Sequence, residues 1–144
     1  MRKRTIAREC ALKILYQKDI TKWTAEAAAQ NYFESQEPVP EESIEFTMRL
    51  IVGVCKHLED IDAKISHYAT NWQLKRMAII DRNILRLGVF ELYYADDIPP
   101  KVTINESVEL AKKFGDIDSS KFVNGILDKI HKTEIMSGEK PPAA

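Results

Sequence analysis

Glycine is scarce, with five residues in a chain of 144. None forms an Asn-Gly or Asp-Gly pair flanked by alternating apolar residues, the signal of a tight β-hairpin. The single Asn-Gly pair, Asn124-Gly125, lies inside a 3.6-residue periodicity, so an all-α fold is expected. Two cysteines, Cys10 and Cys55, are too few for a disulfide framework or a cysteine metal site. Both fall on expected apolar helix faces and read as reduced core residues. No apolar run approaches the ~20 residues of a membrane span, and no charged-then-apolar signal segment is seen. A cytoplasmic protein is therefore expected.

The residues of common catalytic sites are also missing. There is no Gly-rich phosphate loop, no nucleophile elbow and no cysteine–histidine arrangement. His57, His67 and His131 are not spaced as a metal pair. "HLEDIDAKISH" is acidic, but Asp60 and Lys64 have the spacing of an i, i+4 surface pair. "DIDSSKFVNGIL" begins like a calcium loop, yet Lys121 stands where the turn glycine belongs and Leu127 where the bidentate glutamate belongs. No enzyme, metal or cofactor is expected, and a binding module is the better class.

What is present is a soluble, globular composition, 44% hydrophobic and 30% charged. A net charge of −1 conceals segregation. Residues 1–22 carry seven Lys and Arg against Glu9 and Asp19, whereas residues 23–48 carry six Glu and no Lys or Arg. A polyanion would be drawn to the amino end.

Periodicity places a first helix from an N-cap at Thr5 to Asp19, with Ala7, Cys10, Ala11, Ile14 and Leu15 inward. A second helix, 25–35, follows a cap at Thr24. Pro38 and Pro40 then interrupt the chain. From Glu41 to Thr70 the pattern is helical, as one bent helix or two, with Ile44, Met48, Ile51, Val52, Cys55 and Leu58 as its stripe. Asn71-Trp72 is the expected joint. The most apolar stretch, 73–95, reads as a central helix with Leu74, Met77, Ala78, Ile84, Leu85, Gly88 and Leu92 on one face. Pro99 and Pro100 end it. A capping box at Thr103 and Glu106 restarts helix, which closes at Gly115. "DIDSS" caps the last helix. One domain over 1–136 and a disordered tail over 137–144 are expected.

Three features offer binding chemistry. Arg2, Lys3, Arg4 and Arg8 cluster at the mouth of a helix, with Lys13 and Tyr16 along its outer side. They form either a phosphate foothold with a ring for a splayed base, or a solvated terminus. Phe122 lies about 90° off the last helix's core stripe of Val123, Ile126, Leu127 and Ile130, beside Gly125, Lys121 and Lys129. It is either an edge-of-core ring, with Gly125 letting a helix pack close, or a base-stacking platform at an anion-binding helix end. Asp118, beside that helix start, caps it and complements its dipole, and its charge would oppose phosphate, making it a modulator of RNA binding. Asp81 sits on an apolar face, held by an internal salt bridge such as one to Arg86, or presented to a protein partner.

The blocks "ARECALKILY" (7–16), "DRNILRLGVFEL" (81–92), "INESVELAKKFG" (104–115) and "SSKFVNGILDKI" (119–130) resemble those of the NusB family, in its order and spacing and over nearly the whole chain. The resemblance implies a compact all-α fold of about seven helices in two small subdomains, and a non-enzymatic RNA-binding role. Such proteins bind boxA RNA in ribosomal RNA leaders together with the small-subunit ribosomal protein NusE. With other Nus factors they act on RNA polymerase to suppress premature termination. Carried onto this chain, the RNA surface comprises Arg2, Lys3, Arg4, Arg8 and Tyr16, with Lys121 and Phe122, and Asp81 faces the ribosomal protein. Thr5 and Ile6 depart from the family's unbroken arginine cluster, which bears on RNA affinity. Similar helical domains also precede ribosomal RNA cytosine methyltransferases. No Gly-rich βα unit follows here, so a detached module for RNA processing or modification is the alternative, and a protein-only adaptor is another. Monomer and homodimer are both left open.

Overall fold

The computed structural model describes residues 2–70 and 73–136. Seven α-helices occur among them: α1 (Arg2–Thr21), α2 (Ala25–Glu34), α3 (Glu41–Lys56), α4 (Leu58–Tyr68), α5 (Ile79–Tyr94), α6 (Pro100–Phe114) and α7 (Ser119–Ile130). A 3-10 turn at Leu74–Arg76 precedes α5, and a π-helical turn at His131–Ile135 extends α7. No strand occurs among the described residues. The joint expected at Asn71-Trp72 and the tail expected at 137–144 lie outside them. The chain divides into two compact units after Lys56.

In the first unit α1 starts at Arg2, so Thr5 lies inside the helix and does not cap it. α3 holds this early start in place. The Ser43 hydroxyl donates to the Lys3 carbonyl at 2.7 Å, and Thr47 Oγ1 donates to the Ala7 carbonyl at 3.2 Å. Both side chains are buried, and these bonds remove the cost of burying them. They also set the face that α3 presents, which differs from the expected stripe. Ser43, Phe46, Thr47, Leu50, Ile51 and Val54 are buried, while Val52 is exposed and Ile44, Met48 and Cys55 are only partly covered. The expected cap at Thr24 is present: its Oγ1 accepts from the Ala27 amide at 3.1 Å.

In the second unit α5 is the central helix, buried continuously from Asn83 to Tyr93. It is shorter than expected. Met77 and Ala78 are extended, so Leu74 and Ala78 do not join its face. α6 begins at Pro100, a favoured first position because proline lacks the amide that would go unpaired there. Thr103 therefore lies within the helix rather than in a capping box, and its hydroxyl donates to Glu91 Oε1 at 2.8 Å. The end at Gly115, with Lys112 and Lys113 in the last turn, is as expected. At Gly88 a Cβ would stand 2.8 Å from Leu127 Cδ1 and 3.1 Å from Ser107 Oγ, so glycine there permits the close approach of α6 and α7.

The carboxy-terminal turn is fastened by Glu134, whose role no sequence pattern signalled. Its carboxylate accepts hydrogen bonds from Tyr68 and Tyr93 and pairs with Lys64 Nζ at 2.7 Å. Lys64 thus reaches across to Glu134 rather than pairing with Asp60. Burial pushes the Glu134 carboxyl up, but the bonds from Lys64, Tyr68 and Tyr93 outweigh it and hold the group below its ordinary value. A depressed folded-state value means stability present above the unfolded value and lost as pH falls through the folded one. Glu134→Ala should cost about 2 kcal/mol at neutral pH, by stranding three donors, one of them partly solvated. Urea denaturation should show the wild type and variant converging as pH falls below the normal glutamate range. Equal stabilities at pH 7 would show that Glu134 does not fasten the turn.

Candidate nucleic-acid interface

The basic end of α1 is shaped by one ring. The guanidinium carbons of Arg4, Arg8 and Arg49 stand 4.5, 5.3 and 5.7 Å from the centroid of Phe46. Three cations over one aromatic gain cation–π attraction but repel each other, and Glu42 and Glu45 at the same concavity supply opposing charge. Arg2, Lys3 and Arg4 are exposed, and Lys3 Nζ pairs with Glu42 at 2.8 Å. Arg8 is 3% exposed and faces the Phe46 cluster, so the expected exposed guanidinium is not found there. Arg49, on α3, was not among the expected basic residues. Its signal was its i+3 spacing from Phe46. Lys13 and Tyr16 lie exposed along α1, as expected.

At the start of α7 the expected cap changes identity. Asp118 occupies the N-cap position with helical backbone angles and makes no side-chain capping bond. Asp116 organises the turn instead. Its Oδ1 accepts from the Asp118 amide at 3.0 Å and from Ser119 Oγ at 3.2 Å, while its own amide donates to Ser119 Oγ at 3.0 Å. Phe122 is half-buried and forms one wall of a pocket of about 360 Å³. Met77, Ala78 and Asp81 supply a second wall, and Asp116, Asp118 and Ser119 the rest. A Cβ on Gly125 would meet nothing within 4 Å, so this glycine does not serve close helix packing. Lys121 and Lys129 are exposed.

Asp81 is not held by Arg86. That guanidinium is committed to Asp62, with Nε–Oδ1 at 2.8 Å and Nη2–Oδ2 at 2.9 Å. Asp81 Oδ1 is buried with no hydrogen-bond partner among the described residues. Burial pushes the Asp81 carboxyl up; a hydrogen bond with Ser119 opposes this, and the nearby Asp116 charge adds to it, leaving the group above its ordinary value. The arrangement joins an aromatic wall, a set of acceptors and flanking lysines. Among the described residues no group of three or more His, Cys, Asp or Glu could hold a metal ion. No described helix is long and apolar enough to cross a membrane.

Residues 5–132 match the model of the NusB family. The transcription antitermination protein NusB of Desulforamulus reducens is 48% identical over 124 residues, 86% of each chain. The structure of T. maritima NusB superimposes with a TM-score of 0.84 at 38% identity, covering 90% of this chain and 91% of that one. A NusB chain from a crystal structure of the antitermination factors NusB and NusE in complex with dsRNA has a TM-score of 0.84 at 31% identity. It covers 92% of this chain and 98% of that one.

The state of Asp81 is measurable as stability. A carboxyl with a raised folded-state value costs stability once pH rises through the window between its unfolded and folded values. Asp81→Asn keeps the shape and removes the charge. It should raise the melting temperature at pH 7, and the gain should shrink as pH falls toward the ordinary aspartate range. A variant less stable than wild type at pH 7 would mean that the ionised carboxylate is satisfied.

Proposed function

The chain belongs to the NusB family, and we propose on that premise that it is a non-enzymatic transcription antitermination factor. It binds boxA-type RNA in ribosomal RNA leaders together with the ribosomal protein NusE. Through other Nus factors it keeps RNA polymerase from terminating early, and its place of work is the cytoplasm. The observation that carries the RNA reading is Phe122. It is a large ring left half-open on a pocket wall, with Lys121 before it and an unfilled space at Gly125. A ring in that setting is available to stack on a base, and exposed lysines on the same helix are available to phosphate. The first unit supplies a second foothold through Arg2, Lys3 and Arg4, with Lys13 and Tyr16 along α1. Arg8 supports it from within, packed on the ring that Arg4 covers.

Titration of labelled leader RNA, with and without the ribosomal protein, tests this reading. Phe122→Ala should cost ~1–3 kcal/mol of affinity and leave the salt dependence unchanged. Replacing Arg2, Lys3 and Arg4 by alanine should weaken leader and scrambled RNA alike and flatten the slope of log affinity against log salt. If Phe122→Ala lowers the melting temperature but not the affinity of the folded protein, the ring belongs to the core. If RNA affinity is absent in all conditions, the protein-only adaptor takes its place.

Asp118 makes no side-chain capping bond, so its charge is not committed to holding the helix start. Asp118→Asn should leave folding nearly unchanged and tighten RNA binding, most at low salt, where screening is weakest. Equal or weaker binding by the variant would mean that phosphate does not approach this helix end.

A further inference from the structure

In the first unit, a concavity of about 450 Å³ is lined by Lys3 and Arg4 of α1 and by Glu42, Glu45, Phe46 and Arg49 of α3. The bond from Ser43 to the Lys3 carbonyl fixes the two helices beside it, so its walls are set before a ligand arrives. Phe46, itself buried, has three guanidinium carbons around its ring. Arg8 is buried, whereas Arg4 and Arg49 are exposed, one on each helix. Four cations thus meet two carboxylates, Glu42 and Glu45, and the excess is positive.

We infer that this concavity is a two-armed clamp for one phosphodiester group of an RNA backbone, with Arg4 reaching from α1 and Arg49 from α3. Phe46 is the positioning residue that sets the spacing of the arms. The inference rests on the RNA-binding reading above and adds to it a second helix and a residue that the sequence did not mark. A guanidinium over an aromatic ring presents its face to the ring and keeps its N–H donors at its rim. The ring therefore orients both forks without consuming them. A phosphodiester has two non-bridging oxygens that share one negative charge, and each can accept from one fork. Its charge also offsets the repulsion among the three guanidiniums. Glu42 and Glu45 are exposed, so their pairing with these cations is weak and gives way to phosphate.

The surroundings favour a backbone phosphate over an acidic side chain from a protein. A carboxylate from a partner would compete with Glu42 and Glu45 on equal terms, being the same chemical group. A backbone phosphate brings its neighbours with it. Arg2 and Lys3, exposed in the same helical turn as Arg4, are placed to hold the next phosphates of the strand.

Labelled single-stranded leader RNA, with one uncharged methylphosphonate linkage placed in turn along the strand, provides the test. At one linkage the replacement should weaken binding to wild type about fivefold, and binding to Arg49→Gln by no more than about twofold. Arg49→Gln should also lower the slope of log affinity against log salt by about one. Arg49→Lys keeps the charge without the fork, and should restore the slope but not the full affinity. Phe46→Leu should weaken RNA binding with every charge in place, and Phe46→Tyr should not. Arg49 is exposed, so its variants test the clamp even where Phe46→Leu does not fold. Equal methylphosphonate losses for wild type and Arg49→Gln at every linkage would overturn the inference while leaving RNA binding intact. No binding of the leader by wild type would overturn the RNA reading and this inference with it. Wild-type RNA affinity in Arg49→Gln, with weaker capture of the ribosomal protein, would assign the clamp to a protein carboxylate and also overturn it.

Discussion

A helix buried on every side must find partners for every polar group it carries, and α5 carries Asp81, Asn83, Arg86 and Glu91, all buried. The solutions build the second unit. Arg86 grips Asp62 on α4, and Glu91 accepts from Thr103 on α6. Tyr93 donates to Glu134 in the turn that follows α7. Apolar burial alone would hold these helices together, because α5 offers Leu85, Leu87, Val89 and Leu92 in several directions. It would not fix their register. Directional bonds between one buried helix and three neighbours select a single arrangement. Asp81 is the exception, retained at the first turn of α5 where the helix dipole favours a negative charge.

Signals confined to a few neighbouring residues were legible in the sequence. Thr24 caps α2, Gly115 ends α6, and Val123, Ile126, Leu127 and Ile130 form the buried face of α7. What could not be read depended on partners distant in sequence. The face of α3 was misplaced because Ser43 and Thr47 look like solvent-facing residues until the α1 carbonyls that accept from them are known. Thr103 and Glu106 have the spacing of a capping box, but Pro100, with its backbone angle preset for a first turn, starts the helix earlier.

The site shows the same division. Phe122 was legible as out of place, because its angle from the core stripe follows from spacing alone, and Gly125 was legible as a gap beside it. Arg8 was not, since arginine at a basic terminus gives no sign that a phenylalanine on another helix will cover it. Nor was the exchange of capping roles between Asp116 and Asp118, which turns on backbone angles at Asp118 that no composition rule supplies. Resemblance to a family named the candidate residues. It did not reveal that Asp81 and Phe122 share a pocket.

On the proposed function, the distribution of charge would let a chain with net charge −1 bind RNA selectively. A uniformly basic surface would hold any polyanion. Here each group of cations has carboxylates beside it: Glu42 at Lys3, Glu45 near Arg4 and Arg49, and three aspartates at the pocket beside Phe122. The Lys3–Glu42 pair is exposed and therefore weak, worth about 0–1 kcal/mol, so a phosphate would displace Glu42 at little cost. The pocket aspartates are not so easily displaced. Phosphate entering there meets repulsion in a partly buried site, while a base edge bearing N–H groups meets acceptors. On that reading the first unit's exposed cations would favour RNA over neutral partners, and the acidic pocket would penalise ways of lying on α7 that bring backbone inward. Discrimination would then arise from that penalty as much as from the attraction.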